Sequence, residues 1–356
     1  MDSIIASPAE LRYPGAPMRF WLQTSVWLIT LFAGFEVLSR LFIGDAPRTH
    51  IHPDYDRVTM PHEQVVQSRE GFARGRTNEL GHLDAPMPRP LPPDGILVIG
   101  DSLTESRQVA AAERFTERLG AALGRRVYNA GHTGWSPLNA IGLLRADLPA
   151  FAPGTVIVQV SGNDLADMAA RRRPRVVEQG GGFAVRWPNR GKPGGGALTR
   201  VRETVSRSAF AENLIARTLE LVSGDGPGDD GGGGAASCDS ATPLVVRALP
   251  WVLGQLKALH PDVRLLYLPR LDYHAGCVDK CAGAARLWRD AARGAGVPMV
   301  DVTGAMCRRF RATRQPLNGF WNTEPGIGHL NGEGHAVVAG ELAGALGAGG
   351  ARAVRP

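Results

Sequence analysis

The first sustained pattern along the chain is an apolar run without alternation. From Phe20 to Phe35 (FWLQTSVWLITLFAGF) no residue is charged, and apolar character continues past Glu36 through Val37, Leu38, Leu41, Phe42 and Ile43. These positions go all round a helix instead of forming one stripe, which suits lipid on every side better than a soluble core. About twenty helical residues cross a bilayer core. Trp21 and Trp27 lie toward the start of the run, and Arg19 and Arg40 bracket it as snorkelling residues do. A membrane anchor over 20–43 is therefore expected, after an N-terminal tail of residues 1–19. A cleaved signal peptide is the rival reading. It is disfavoured because Pro47 directly after Ala46 is a poor mature start and the preceding region is long with mixed charge. The flanking charges are too balanced to fix orientation, and a single-pass protein with its main domain outside the cytoplasm is the expectation adopted.

Residues 44–93 are polar and interrupted by proline, ending in PMPRPLPP. That favours extended polyproline conformation and reads as a stalk and lead-in. A domain over 94–348 follows, and its pattern changes to short apolar runs separated by helical spacing. Strands are predicted at Gly95–Ile99, Arg126–Asn129, Thr155–Val160, Val263–Leu268 and Pro298–Val302. Helices are predicted at Val109–Leu123, Pro137–Leu148, Pro243–Leu259, Ala282–Ala295 and about Gly334–Leu346. Strand alternating with helix predicts an α/β domain with a parallel sheet covered on both faces and functional groups at the carboxyl ends of the strands. The alternation is interrupted at about 170–241 by glycine runs and the tract GDGPGDDGGGG (224–234), which cannot bury enough apolar surface to order itself. Between them Leu198–Leu221 has helical periodicity. The insertion reads either as a cap beside the active site with a disordered tail or as a passive excursion.

Composition narrows the partners. A chain of 356 residues can bury one substantial core and still carry an anchor and an insertion. The net charge of +6 comes from scattered arginines without clustered aromatic company, so no nucleic-acid partner is expected. The densest basic run, Arg171, Arg172, Arg173 and Arg175, reads as solvated surface or as a contact for anionic headgroups or polymer. Cys238, Cys277, Cys281 and Cys307 are an even set that fits an oxidising compartment, and spacing leaves all three complete pairings open. No GxGxxG or P-loop stands where a cofactor would need it, so no cofactor is expected, and no ligand pair of zinc-site form accompanies the cysteines.

Four short blocks carry candidate chemistry. Gly100-Asp101-Ser102-Leu103-Thr104 follows the first predicted strand and puts a serine hydroxyl at its carboxyl end. Asn129-Ala130-Gly131-His132-Thr133-Gly134 follows the second, with glycines that let a backbone N–H approach a ligand. Ser161-Gly162-Asn163-Asp164 follows the third, where an Asn amide can donate to the same oxyanion. His329-Leu330-Asn331-Gly332-Glu333-Gly334-His335 precedes the last helix, where an imidazole can face the serine as general base. Taken singly each is an ordinary turn or cap. In this order, at the exits of elements that a parallel sheet sets side by side, they form a constellation.

Together these blocks resemble the SGNH (GDSL-like) hydrolase superfamily over about Asn78–Leu346, including Asn78-Glu79-Leu80-Gly81 as a lead-in similar to that of anchored bacterial members. The resemblance implies a three-layer α/β sandwich with a five-stranded parallel sheet of flavodoxin-like type. It implies Ser102 as nucleophile, His329 as base, and the Ser102 N–H, Gly134 and Asn163 as oxyanion donors. The implied substrates are acyl esters such as acetylated polysaccharides or lipids. One position departs from the family: an Asp usually stands three residues before the histidine, and here that residue is Gly326. Glu324 is the nearest acid upstream and a candidate third member; a backbone carbonyl can orient the ring instead, or turnover is low. A catalytically weak glycan-binding or assembly module and an acyltransferase are the alternatives on the same fold.

Overall fold

The computed structural model describes residues 18–43, 47–188 and 241–350, together with Ser208, Phe210, Ala211, Leu214 and Thr218 of the insertion. The N-terminal tail before Met18, the glycine-rich tract and Cys238 lie outside the described residues. So does most of the expected helix at 198–221, of which Phe210, Ala211, Leu214 and Thr218 are helical.

Five parallel strands make the central sheet: β1 (Ile96–Gly100), β2 (Val127–Gly131), β3 (Thr155–Val160), β4 (Val263–Tyr267) and β5 (Met299–Asp301), in spatial order β5-β4-β3-β1-β2. Both faces are covered, so each strand reads as a continuous apolar run while its side chains still alternate. Leu97 and Ile99 of β1 join one core with Val156 and Val158, whereas Ile96 and Val98 join the other with Ile157. The first core packs under Pro137–Phe151, Pro243–Leu259 and Ala282–Ala295; the second packs under Phe115–Leu123, Thr303–Thr313 and Gly332–Gly350. The strand order reverses direction at β1, with β2 on one side and β3 on the other, which opens a crevice beyond the carboxyl ends of those three strands. Register brings Gly100 level with Gly131, and Ile99 level with Val158, so the loops that leave β1, β2 and β3 start side by side.

Three features differ from the sequence expectation. Where a stalk was expected, the chain folds into two antiparallel hairpins, Thr49–His52 with Asp56–Thr59 and Gln64–Gln67 with Ala73–Arg76. The segment after them is fastened to β2: Asn78 Nδ2 donates to the Tyr128 hydroxyl at 2.8 Å, and Asp84 Oδ2 accepts from Asn129 N at 2.7 Å. A further hairpin, Arg175–Gln179 with Gly182–Arg186, opens the insertion. The helix Thr303–Thr313 was not anticipated, because its buried residues Ala305, Met306 and Cys307 are consecutive instead of helically spaced. Of the three cysteine pairings, the structure contains Cys277–Cys307.

The apolar run forms a helix, α1 (Met18–Leu38), extended by one wider turn to Ile43. It is long and apolar enough to cross a membrane, and almost none of it is buried against the rest of the chain. It is also tied to the domain. Ser68 Oγ donates to the Ile43 carbonyl and Arg74 Nη2 to the Leu41 carbonyl, so the hairpin Gln64–Arg76 grips the end of the helix.

Candidate active site

Ser102 opens a single helical turn, Ser102–Glu105, directly after β1. Asp101 caps that turn, its Oδ1 accepting from Leu103 N at 2.8 Å, and Ser106 ends it in the left-handed region at φ 55°. The turn is packed so tightly onto its neighbours that Gly100 has no space for a side chain beside Thr104 and Gln159, nor Gly131 beside Glu105. Gln159 of β3 reaches across to accept from Asp101 N and Thr104 Oγ1, both at 3.0 Å, fixing the serine turn to the neighbouring strand.

The Gly134 turn after β2 is held from the same helical turn. Glu105 Oε2 accepts from Thr133 N at 2.8 Å and Thr133 Oγ1 at 2.6 Å, and its other oxygen takes Arg107 Nη2 at 2.6 Å. Burial alone would raise this carboxyl's pKa, but Arg107, His132 and the Thr133 bonds outweigh it and bring it to about 2. Glu105 is therefore an anion that holds Thr133, and the next residue, Gly134, sits at φ +81°, a conformation glycine adopts without strain.

Asn163 follows β3. Its Oδ1 accepts from Ser161 Oγ at 2.7 Å and its Nδ2 donates to Asp167 Oδ2 at 3.3 Å, which fixes the amide's orientation. Arg173 then joins the two loops. Its Nη1 lies 2.7 Å from Asp167 Oδ2 and donates to the Gly134 carbonyl at 3.1 Å. Of the basic run at 171–175, this arginine is thus engaged inside the crevice. Burial pushes Asp167 up to about 6 despite Arg173, and burial likewise raises Asp101 and Asp164 above the usual carboxylate range.

His329 stands in the loop before Gly332–Gly350, with Nε2 2.8 Å from Ser102 Oγ. Its other ring nitrogen does not meet Glu324. Nδ1 lies 2.5 Å from Glu70 Oε2, and the His329 backbone N–H donates to Glu70 Oε1, also at 2.5 Å. Glu324 is exposed, and the bond that holds it locally is made by its backbone carbonyl, which accepts from Ile327 N at 3.2 Å. The expectation for Glu324 is corrected on physical grounds. Gly326 sits at φ +89°, and a Cβ there would come 2.9 Å from the Tyr273 ring, so the place where the family carries its Asp is closed. Gly328, also at φ +89°, leaves open the space that the Glu70 carboxylate occupies.

Glu70 comes from the turn of the hairpin Gln64–Arg76, and that turn is clamped to the histidine loop. Asn322 Oδ1 accepts from Gly71 N at 2.8 Å, while its Nδ2 donates to the Ser68 carbonyl at 2.8 Å and the Gly71 carbonyl at 3.2 Å. The sequence reading missed Glu70 because it lies 259 positions from His329 in a segment taken for a stalk. The available signal was the Gly326-Ile327-Gly328 spacing, which removes side chains where a carboxylate has to enter.

The other two histidines of these blocks are structural. Burial lowers His335 to about 3, and it accepts from Phe115 N at 3.3 Å. Burial lowers His132 to about 4, with Nε2 3.2 Å from Thr59 Oγ1. Among the described residues no group of three His, Cys, Asp or Glu is placed to hold a metal ion.

Comparison with known proteins bears on the same region. Among solved structures, an alpha/beta hydrolase enzyme from the metagenome of Lake Arreo, Spain, is 17% identical, with a TM-score of 0.39 over 71% of this chain and 95% of that one. The lipase/acylhydrolase from Enterococcus faecalis is 13% identical, with a TM-score of 0.40 over 71% and 94%. Phospholipase A1 from Streptomyces albidoflavus NA297 is 14% identical, with a TM-score of 0.37 over 72% and 98%. No curated protein matches the chain in sequence. The model of the GDSL-like Lipase/Acylhydrolase family matches residues 98–337, a span that runs from β1 through the serine turn to the helix after His329. That span covers more than half of the chain and contains all four blocks, and the chain belongs to the GDSL-like, or SGNH, hydrolases.

Proposed function

We propose that this protein is a membrane-anchored serine esterase that cleaves acyl esters through a Ser102–His329–Glu70 triad. The observation that carries the reading is the unbroken line from Ser102 Oγ through the imidazole to the Glu70 carboxylate, at 2.8 and 2.5 Å. Glu70 accepts from Nδ1–H, which leaves Nε2 as the base facing the hydroxyl. Ser102 Oγ attacks the ester carbonyl while His329 Nε2 takes its proton, and Glu70 stabilises the imidazolium that forms. The tetrahedral oxyanion is held by the N–H groups of Ser102 and Gly134 and by Asn163 Nδ2. His329 returns its proton to the leaving alcohol, and water activated in the same way releases the acid. Arg173 and Asp167 act as positioning residues, because together they tie the Gly134 carbonyl to the Asn163 amide.

A binding module without turnover drew its support from the missing acid at position 326, and Glu70 removes that argument. Short-chain and O-acetyl esters of an extracytoplasmic polysaccharide are the proposed substrates, and α1 is the anchor that holds the domain at the membrane surface. A fluorophosphonate probe should label the full-length protein at Ser102, and Ser102→Ala should lose both the label and p-nitrophenyl acetate hydrolysis. Hydrolysis retained by Ser102→Ala, with contaminating esterases excluded, defeats the mechanism. Carbonate extraction should leave the full-length chain in the membrane fraction, and release into the supernatant would sink the anchor.

A further inference from the structure

Beside the junction of α1 with the domain lies a cleft of about 540 Å³, a size ordinary for sites that bury a small ligand. Its walls come from three parts of the chain: Phe42 and Ile43 at the end of the membrane helix, Phe72 and Trp321 from the catalytic loops, and Phe210 and Leu214 from the insertion. Several of these groups meet solvent, Trp321 at 84% and Phe42 and Leu214 at 55% each. An indole so exposed is costly in water and is at home at the boundary between lipid headgroups and acyl chains.

The position of the cleft along α1 identifies what covers it. About twenty residues at roughly 1.5 Å each span the hydrocarbon core. Counted from Phe20, where the uncharged run begins, they end near Ser39, which itself lines the cleft. On the membrane anchoring proposed above, on which this inference rests, Phe42, Ile43 and the rest of the cleft stand at the interfacial level, open to lipid. Arg74 adds the matching charge. It is exposed, and its guanidinium lies 5.6 Å from the centre of the Phe42 ring and 5.4 Å from that of Phe72. Ser208 and Phe210 of the insertion meet α1 about one turn before Ser39: Glu36 Oε2 accepts from Ser208 Oγ at 2.8 Å and Phe210 N at 3.1 Å, while Phe210 stacks on Phe35 with ring centres 5.2 Å apart.

We propose that this cleft binds one acyl chain of a bilayer glycerophospholipid, with Arg74 toward its phosphate, as a docking ligand separate from the ester attacked by Ser102. The site has a functional address. Ser68 and Phe72, which line it, flank Glu70 at two residues' distance, and Trp321 adjoins the Asn322 that clamps the Glu70 turn. A lipid chain seated there packs against the segment that holds the histidine in register.

The test uses the full-length protein in nanodiscs of phosphatidylcholine and phosphatidylglycerol brominated either near the headgroup or near the chain end. The emission of Trp321 is obtained as the difference between wild type and Trp321→Phe. Headgroup-proximal bromine should quench most of that emission, and chain-end bromine much less. Phe72→Glu, which puts a carboxylate into the cleft, should restore it, and the milder Phe72→Ser should restore part of it. An unquenched Trp321, or quenching unchanged in both Phe72 variants, overturns the proposal, the second result meaning that Trp321 lies on the surface without a bound chain. Ser102→Ala should quench like wild type, so a failure of the esterase reading and a failure of the lipid site are separately visible.

Discussion

Replacing Glu70 by Gln keeps the size of the side chain and removes its charge, which makes it the sharpest perturbation of the proposed centre. In the native arrangement both carboxylate oxygens accept from the same residue, one from His329 Nδ1–H and the other from its backbone N–H. An amide has one oxygen. If that oxygen faces Nδ1–H, the NH2 meets another donor at the backbone; if the NH2 faces Nδ1, the ring is forced into the tautomer that cannot take the serine proton. The electrostatic loss is separable. When the imidazolium forms, unit charges about 4 Å apart attract by about 4 kcal/mol at an effective dielectric near 20, and that alone is about a thousandfold in rate. The pair is only 14–15% exposed, so solvent screens it little. A mismatched buried hydrogen bond adds about 1–3 kcal/mol. The expected fall in kcat is therefore about 5 × 10³ to 10⁵, a range that includes the effect of neutralising the acid in the serine-protease triad, with KM little changed. The assay is p-nitrophenyl acetate hydrolysis by purified full-length protein, with matched thermal unfolding to establish folding. A folded Glu70→Gln within about tenfold of wild type refutes the argument, since less than about 1.4 kcal/mol would then ride on the carboxylate. An equal loss in Glu324→Gln would refute it from the other side.

Three further outcomes are expected. Asn163→Ala should lower kcat by about a hundredfold or more with little change in KM, because an oxyanion donor acts chiefly in the transition state; a folded variant with near wild-type turnover would leave Asn163 as a turn residue. Asp167, raised from 3.8 to about 6 mainly by burial, binds its proton more tightly in the folded state, so it favours folding below pH 3.8 and that contribution is lost as pH climbs through about 6. Asp167→Asn should flatten this part of the stability profile in urea melts at pH 4 and pH 7, while lowering turnover by loosening Arg173. The Cys277–Cys307 bond closes a loop of 30 residues, so the double Cys→Ser variant should lose about 3–4 kcal/mol on the chain-entropy scale, read from the shift in the urea midpoint.

How much of this was legible in the sequence depends on the range of the interactions involved. The strand Thr155–Val160 and the helices Pro243–Leu259 and Ala282–Ala295 match the sequence expectation at both ends, because each is bounded by local signals. Thr242 and Pro243 start one helix and Gly296 ends the other in the left-handed region. The Ser102, Gly134 and Asn163 blocks were equally readable, since each directly follows a strand of the parallel sheet, at its carboxyl end. The hairpins between Thr49 and Arg76 were not, because strands of four residues such as THIH carry too few positions to show a period. Glu70 and Arg173 were hidden for a different reason. Each is defined by partners far away, His329 for one and Gly134 for the other, and a single sequence without covariation holds no trace of such a pairing.

The separation of the proposed triad along the chain has a consequence for how activity would be acquired during synthesis. Glu70 leaves the ribosome early and Ser102 soon after, but His329 is made 259 residues after the first and 227 after the second. Until then the hydroxyl has no base beside it and the carboxylate has no ring to hold. On the proposed mechanism a growing polypeptide is chemically silent toward esters until the histidine loop folds back onto the Glu70 hairpin. Termination or proteolysis ahead of the histidine loop would yield a chain with its apolar helix, its sheet and its serine in place that on this mechanism is nonetheless inert, so the order of the parts would act as a built-in delay.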